Sequence, residues 1–284
     1  MSISETDRAG AALPTARVLT IAGSDSGGGA GIQADLRAMA AHGVHGMSVI
    51  AGITAQNSVG VHGVHQVPLD MIEAQYRAVV DDIGVDAIKT GMLGDAATVE
   101  LVADLLADAS VPVVIDPVCA SKHGDPLILE EARSLIVERL AARATLITPN
   151  LGEAALLSGL TMDAAPRDLA APLLEAGATW VLIKGGHAEG APTDHLFGPG
   201  GAHHRFTGER HDNRHTHGTG CTLAAAIASL LGLDHATTGT PDVPRAVERA
   251  NAYVNGAIKN GFALGSGIGP VDHLWRVREH LRGE

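Results

Sequence analysis

Aromatic residues are scarce in this sequence of 284 residues, which has two Trp, two Tyr and three Phe. Its core must therefore be filled by Ala, Val, Leu and Ile, and such a core suits helices and strands that pack in layers. Apolar residues make up 45% of the chain. That supply is enough for a large core, either in one α/β domain or in two smaller ones.

Basic residues are also in deficit. There are 20 Lys and Arg against 32 Asp and Glu, so the net charge is −12. A nucleic-acid backbone requires a basic face on its partner, and the acidic balance therefore argues against nucleic acid. Any anionic substrate must be held by a local site and not by the overall field of the protein.

Cysteines and long apolar runs are few. The two cysteines, Cys119 and Cys221, form no CxxC pair, which argues against a disulfide framework and indicates a reducing, cytoplasmic compartment. The longest strongly apolar run, residues 223–233, is too short to span a bilayer, so we expect no membrane partner. Residues 1–15 contain no apolar stretch of the signal-peptide kind and predict a disordered tail. A single domain is predicted over residues 16–284.

The chain does contain a regular alternation of short β-branched runs and helical patterns. Repeats of this kind predict a mostly parallel sheet covered by helices on both faces. Residues 194–210 predict a hairpin around a Gly-Pro-Gly-Gly turn, and residues 244–261 a long final helix. The predicted strands are 16–23, 47–53, 86–91, 111–117, 144–150 and 178–186.

Polar or glycine-rich clusters follow five of these strands, and they read GSDSGGGAG, KTGM, DPVCAS, TPNLGE and KGGH. In open α/β sheets ligands bind beyond the carboxyl ends of the strands, so the five clusters predict one site on one edge. Three consecutive glycines in the first cluster exceed what a turn needs and indicate contact with a ligand. This cluster matches neither a P-loop nor a dinucleotide fingerprint.

Several side chains in these clusters admit both a functional and a structural interpretation. The amide of Gln56 matches the edge of an aminopyrimidine, although these residues alone favour a solvated turn. Asp116 could hold Mg²⁺ or cap a turn. The spacing of Asn150 and Glu153 favours a capping box over a hydrated Mg²⁺. Lys184, beside two glycines at a strand end, indicates phosphate contact.

A zinc site is conceivable in a histidine-rich zone but is disfavoured, because no acidic or cysteine partner stands at a helical ligand spacing. The zone contains His203, His204, His211, His215 and His217.

The strongest local signal is HGTGCTLAAAIAS at residues 217–229. Gly218, Thr219, Gly220 and Cys221 can present successive backbone N–H groups to an anion at the positive end of a helix. An ordinary N-cap by Thr219 would not need a glycine on each side.

Taken in order, the motifs resemble the hydroxymethylpyrimidine/phosphomethylpyrimidine kinases of thiamin biosynthesis, a family of the ribokinase-like superfamily. The resemblance covers about residues 17–274 and includes TIAGSDSGGGAGIQADL, TAQNSVG, IKTGMLG, IDPVCASKHGDPL, LITPNLGEAALLSG, VLIKGGH and GSGIGPVDH. It implies a three-layer α/β/α sandwich, a small β lid around residues 53–66, and a homodimer. One departure is a glycine in SDSGGGAG where relatives often carry serine, which affects loop stiffness.

The resemblance also implies the reaction and the residues that carry it. A pyrimidine alcohol is phosphorylated with ATP and Mg²⁺, and its monophosphate is then converted to the diphosphate. The implied pyrimidine pocket is Gln56, Gly23, Asp35, Met92 and Val118. Asp116, Asn150 and Glu153 would organise Mg-ATP, with Glu153 reaching the metal through water. Lys184 would bind the phosphates, and residues 218–221 would form the anion hole.

Two other functions remain open at this point. Relatives accept either ring, so pyridoxal kinase activity is one alternative. A non-catalytic pyrimidine-binding regulator is the other, although an intact Lys184 and GTGC motif argue against it.

The role of Cys221 is open too, because ribokinase-like sugar kinases carry an aspartate base at this place. A helix N-terminus lowers the pKa of a thiol, which would allow a thiolate base. Repulsion between a thiolate and the incoming phosphate favours a neutral thiol.

Overall fold

The computed structural model describes residues 16–119, 130–186 and 190–282. Within these ranges, nine strands form one sheet in the order β3-β2-β1-β4-β5-β6-β7-β8-β9. The strands are β1 Arg17–Asp25, β2 His45–Asn57, β3 Gly60–Gln66, β4 Ala87–Thr90, β5 Val113–Ile115, β6 Leu146–Ile147, β7 Trp180–Ile183, β8 Thr193–Phe197 and β9 His203–Thr207. Six neighbouring strands, β2 to β7 in space, are parallel, whereas β3, β8 and β9 pair antiparallel.

Helices cover both faces of this sheet, which confirms the predicted three-layer α/β/α fold. They are α1 Gly31–Ala41, α2 Leu69–Val80, α3 Ala96–Leu105, α4 Glu130–Leu135, α5 Leu151–Ser158, α6 Pro166–Glu175, α7 Thr219–Thr238, α8 Val243–Lys259 and α9 Trp275–Arg282. Helices α1, α7 and α8 pack on one face, and α2 to α6 pack on the other. No helix in the described ranges has the length and apolarity that crossing a membrane requires.

Each predicted strand exists, but the central ones are shorter than their apolar runs. Strand β6 has only two residues of the predicted 144–150. Pro149 follows closely and has no N–H for the ladder, and Asn150 already caps α5. The predicted hairpin is confirmed as β8 and β9. Helix α6 was not predicted, since Pro172 inside it obscures the helical pattern.

The lid around residues 53–66 is an antiparallel hairpin. It consists of the second half of β2 paired with the edge strand β3. The predicted tail at residues 1–15 and the residues after Cys119 in the DPVCAS cluster lie outside the described residues, as does His187 of KGGH.

The strand order reverses beside β1. The chain runs from β1 outward to β2 and β3, and then returns to β4 on the other side of β1. Helices on opposite faces leave a crevice at such a switch point, at the carboxyl ends of the strands. The turns after β1, β4 and β5 therefore open into one space.

Candidate active site

A cavity of about 670 Å³ occupies this crevice. Its walls contain all but one of the predicted active-site residues: Gly23, Gln56, Met92, Asp116, Val118, Asn150, Glu153, Lys184, Gly218, Thr219, Gly220 and Cys221. The expectation that the clusters meet on one edge of the sheet is confirmed, because each lines the same cavity.

One wall of the cavity is the start of helix α7. Gly218 is the N-cap residue, with φ of +81° and no capping side chain. Thr219 is therefore not the N-cap, in agreement with the argument from its flanking glycines. The hydroxyl of Thr219 instead donates to the carbonyl of Thr216 at 2.7 Å. The first amides of a helix lack intrahelical acceptors, which leaves those of Gly220 and Cys221 available to an anion.

Lys184 lies across from this helix start between two carboxylates. Its Nζ is 2.8 Å from Asp116 Oδ1 and 3.8 Å from Glu153 Oε2. Burial alone would lower the pKa of Lys184, but Asp116 and Glu153 raise it above the usual value. The side chain therefore brings a permanent positive charge to this end of the cavity. The adjoining Gly185 amide donates to Asp194 Oδ1 at 2.9 Å, which fixes the turn after β7.

Asn150 and Glu153 form the predicted capping box. The Glu153 amide donates to Asn150 Oδ1 at 2.9 Å, and the Asn150 amide donates to Glu153 Oε2 at 2.8 Å. The carboxylate of Glu153 nonetheless lines the cavity and lies beside Lys184. The capping and ligand interpretations are therefore compatible, since the cap orients the same carboxylate that faces the cavity.

The donor set of Asp116 and Glu153 fits Mg²⁺. Magnesium binds through one or two carboxylates together with waters and substrate phosphates. Thr148 Oγ1 donates to Asp116 Oδ1 at 3.2 Å and orients that carboxylate. In the described part of the chain no group of three or more His, Cys, Asp or Glu side chains is arranged to hold a metal. Such a site would therefore depend on phosphate oxygens to complete it.

Gly23, Gln56 and Met92 line the opposite end of the cavity. The Gly23 amide donates to the carbonyl of Met92 at 3.1 Å, which joins the ends of β1 and β4. Two hydrogen bonds to Ser26 anchor Gln56 to the glycine-rich turn. The Gln56 backbone amide donates to Ser26 Oγ at 2.8 Å, and the same hydroxyl donates to the Gln56 carbonyl at 2.7 Å. Its side-chain amide faces this end, as the sequence predicts.

Asp35 is the exception among the predicted site residues, because it does not line the cavity. It is fully buried, and its Oδ2 accepts bonds from Lys89 Nζ at 2.8 Å and from Thr20 Oγ1 at 2.6 Å. Lys89 is equally buried and does line the cavity. Burial would lower the pKa of Lys89, but Asp35 raises it. Asp35 thus serves to hold a cation beneath the site.

Other residues of the cavity wall were not predicted as active-site residues, and they include Asp25, Lys89 and His217. A signal existed for Lys89, since a lysine inside a short apolar strand requires a buried carboxylate. Asp25 Oδ2 accepts bonds from the amides of Gly29 at 3.0 Å and Ala30 at 2.8 Å, and His217 Nε2 lies 3.0 Å from it. Burial would raise the pKa of Asp25, but His217 and the backbone amides of Ala30 and Gly27 lower it.

Cys221 is a partly buried free cysteine. Burial raises the pKa of its thiol to about 12, although Lys89 acts in the opposite direction. The thiol is therefore neutral at physiological pH, and the structure favours the neutral form over a thiolate base.

Each of the five histidines of the histidine-rich zone contacts a different residue. His203 stacks on His195, His204 lies against Trp180, His211 contacts Asn255, His215 Nδ1 accepts from Gly269, and His217 contacts Asp25. This arrangement does not converge on one point as a structural zinc site requires.

Known proteins resemble this chain over most of its length. A family model described as phosphomethylpyrimidine kinase matches residues 25–272. A hydroxymethylpyrimidine/phosphomethylpyrimidine kinase of Streptomyces coelicolor is 54% identical, and the match covers 92% of this chain and 96% of that protein. A thiamine biosynthesis bifunctional protein of Geobacter sulfurreducens is 45% identical over 93% of this chain and 53% of its own length.

Among solved structures, an ADP complex of Bacillus subtilis pyridoxal kinase has a TM-score of 0.83 at 36% identity. That similarity covers 92% of this chain and 98% of the other. Because the family model spans most of the chain, and because the Streptomyces relative shares more than half of its residues along nearly the full length, the chain belongs to the phosphomethylpyrimidine kinase family.

Proposed function

We propose that this chain transfers the γ-phosphoryl group of ATP to the hydroxymethyl oxygen of 4-amino-5-hydroxymethyl-2-methylpyrimidine. It then phosphorylates the resulting monophosphate to the diphosphate. The observation that carries the proposal is one cavity with the amide of Gln56 at one end and Lys184 facing the start of α7 at the other. The Gln56 end suits a small polar ring, and the Lys184 end suits a polyphosphate.

The residues of this chain contribute alignment and charge. In each turnover a bond forms between the substrate oxygen and phosphorus, the bond to the β-phosphate oxygen breaks, and the hydroxyl proton is released. Such a transfer depends mainly on positioning and electrostatic stabilisation. Lys184 binds the phosphates as a point charge. The amides of Gly220 and Cys221 face the oxygens on which negative charge develops, where one donor contributes about 3–4 kcal/mol.

Asp116 and Glu153 would hold Mg²⁺, with Thr148 and Asn150 orienting the two carboxylates. When bound, the ion would supply positive charge to the phosphates and fix their orientation.

The direct test is a coupled assay of ADP release with the purified protein, ATP, Mg²⁺ and the hydroxymethylpyrimidine. We expect turnover, with monophosphate and then diphosphate separable by chromatography. We expect Lys184→Met to lower kcat at least 100-fold, on the order of the loss of one major charge contact. Lys259→Met, at an exposed lysine in the last turn of α8, is the matched control and should keep wild-type kcat.

A folded sample that releases no ADP would contradict the proposal. Single-turnover phosphate transfer distinguishes a slow kinase from a protein that only binds the pyrimidine.

Pyridoxal is the second candidate substrate, because the Bacillus subtilis neighbour of this fold is a pyridoxal kinase. Comparison of kcat/KM for pyridoxal and the pyrimidine decides between them. We expect the pyrimidine to be preferred, since the Streptomyces relative is the more similar in sequence.

We also infer a homodimer that works in the cytoplasm. The lid hairpin exposes Ile53 and Val64, at 49% and 53% of their surface. Burial of such apolar side chains against a second copy is favourable. Light scattering after size exclusion should give twice the 29.0 kDa mass of the chain. The free cysteines Cys119 and Cys221 and the use of ATP suit a reducing compartment.

A further inference from the structure

A segment near the C-terminus braces the start of helix α7. Residues 267–273, here called the brace, run beside His217. The His217 amide donates to the carbonyl of Gly269 at 3.1 Å, and the Val271 amide donates to the carbonyl of His217 at 3.2 Å. The residue immediately before the anion hole is thus held on both sides by a part of the chain about 50 positions away.

The brace also reaches into α7 through His273. Thr222 Oγ1 lies 2.7 Å from the carbonyl oxygen of Gly218 and 2.9 Å from His273 Nε2. A carbonyl oxygen only accepts, so the hydroxyl proton of Thr222 must point to Gly218. The Thr222 oxygen then accepts from His273, which requires the tautomer with a proton on Nε2. The order of donation is therefore His273 to Thr222 to the carbonyl of Gly218.

This chain of donors fixes the Gly218–Thr219 peptide, which begins the helix turn that carries the anion hole. The carbonyl of Gly218 accepts a second bond, from the Thr222 amide at 2.9 Å, so two donors fix its direction. The carbonyl and the following N–H of a trans peptide lie in one plane and point in opposite directions. Fixing the carbonyl of Gly218 therefore directs the Thr219 N–H to the carbonyl of Thr216, to which it donates at 3.4 Å. This peptide is thus held at both ends, and the first turn of α7 keeps the amides of Gly220 and Cys221 available to an anion.

The environment of His273 suits this role. The residue is 4% exposed, and its own carbonyl accepts a bond from the fully buried Tyr253 hydroxyl at 2.7 Å. Burial lowers the pKa of His273 to about 4, with a further contribution from Arg37. The ring is thus neutral at working pH and retains a single N–H for Thr222.

We propose that His273 is a positioning residue of the anion hole, which it orients through the hydroxyl of Thr222. The proposal rests on the proposed function, because it assigns a role in that same phosphoryl transfer. His273 does not line the cavity, and its effect on the reaction passes through the Gly218–Thr219 peptide.

The test compares steady-state kinetics of four variants with those of the wild type. Thr222→Val removes the hydroxyl at constant shape, and His273→Leu removes the donor. Both should lower kcat about 10- to 100-fold, the scale of one misaligned donor, while KM for the pyrimidine changes less than about twofold. His273→Gln restores an N–H donor and should recover most of kcat. Ser229→Ala is the matched control.

Ser229 is suited as control because it lies in the same helix, is fully buried, and donates to Ala225 four residues earlier at 2.7 Å. Its loss reproduces the helix-stability effect of Thr222→Val far from the cavity. Ser229→Ala should therefore keep wild-type kcat.

A binding measurement adds a readout that a purely structural role would leave unchanged. Affinity for ADP with aluminium fluoride, a mimic of the transferred phosphoryl group, should weaken in Thr222→Val by the same factor as kcat. Affinity for ADP alone should not change. If His273→Leu does not fold, Thr222→Val and His273→Gln carry the test.

The outcomes separate the two proposals. A folded wild type without turnover overturns the proposed function. An active wild type whose Thr222→Val variant has unchanged kcat overturns the positioning role alone, as does equal loss in Thr222→Val and Ser229→Ala.

Discussion

Opposing influences act on the thiol of Cys221. A helix N-terminus and the buried cation of Lys89 favour a thiolate. Burial, with the carboxylates of Asp35 and Asp116 nearby, favours the neutral thiol. Burial is the largest influence and raises the pKa to about 12, so the backbone amides are left as the main source of stabilisation at this position.

We expect Cys221→Ala to lower kcat by less than about 100-fold, because removal of a general base would cost about 10²–10⁴-fold. Replacing the thiol side chain leaves the backbone amides of residues 218–221 in place. Measurement of kcat from pH 6 to pH 9 checks this, and wild type and variant should have profiles of the same shape. A step in the wild-type profile that vanishes in Cys221→Ala would instead assign a thiolate base.

At the scale of the element, helix α7 begins and ends on glycines with the same backbone conformation. Gly218 has φ of +81° and Gly239 has φ of +70°. Their surroundings differ, because a Cβ on Gly218 would collide with the carbonyl oxygen of Gly29, whereas Gly239 faces open space. The start of the helix is thus packed directly against the glycine-rich turn after β1, and its end is free.

We expect replacement of these two glycines by alanine to have different effects. Gly218→Ala must move either the anion hole or the glycine-rich turn, so we expect kcat to fall at least 100-fold together with a loss of stability. Gly239→Ala carries only the strain of a left-handed residue, about 1–2 kcal/mol, and should keep wild-type kcat. Kinetics and denaturant unfolding of both variants measure this. Equal kcat in the two variants would contradict the packing argument.

At the scale of the whole molecule, a segment near the C-terminus packs against elements of the site that come from distant parts of the chain. The Ile268 amide donates to the carbonyl of Ser58 in the lid turn at 2.9 Å, and His273 contacts Thr222. The brace therefore touches both the lid and the start of α7. Folding of the C-terminal part is a condition for an ordered site.

The buried His273 also makes the stability of the molecule depend on pH. Its pKa is about 4 in the folded protein and 6.5 when unperturbed, so between these values the unfolded chain binds more protons. Stability is full above about pH 6.5 and is lost as pH falls toward 4. From pH 7 to pH 5 we expect His273 to account for a loss of about 2 kcal/mol.

Urea unfolding at pH 7 and pH 5 tests this pH dependence. His273→Gln, which cannot titrate, should lose about 2 kcal/mol less than the wild type over that interval. Other buried groups, such as His42 with its pKa lowered by burial, contribute equally in both proteins and cancel. The same pH dependence in both proteins would show that His273 is protonated as easily when folded as when unfolded.

The sequence by itself determined the alternation of strands and helices, the single edge on which the clusters meet, and the family. These depend on local patterns: the period of apolar residues, the glycines of the turns, and capping pairs such as Asn150 and Glu153. The signal weakened where a short-range rule was overridden, as at Pro149, which ends β6 early, and at Pro172 inside α6.

Only the tertiary structure decided which of these groups touch one another. In the folded protein Asp35 does not line the cavity but pairs with Lys89, 54 positions away. It set His217 beside Asp25, 192 positions away, and His273 beside Thr222, 51 positions away. Contacts at such separations follow from strand order and from the packing of helices against opposite faces of the sheet. A pattern read along the chain carries no information about them until the layers are assembled.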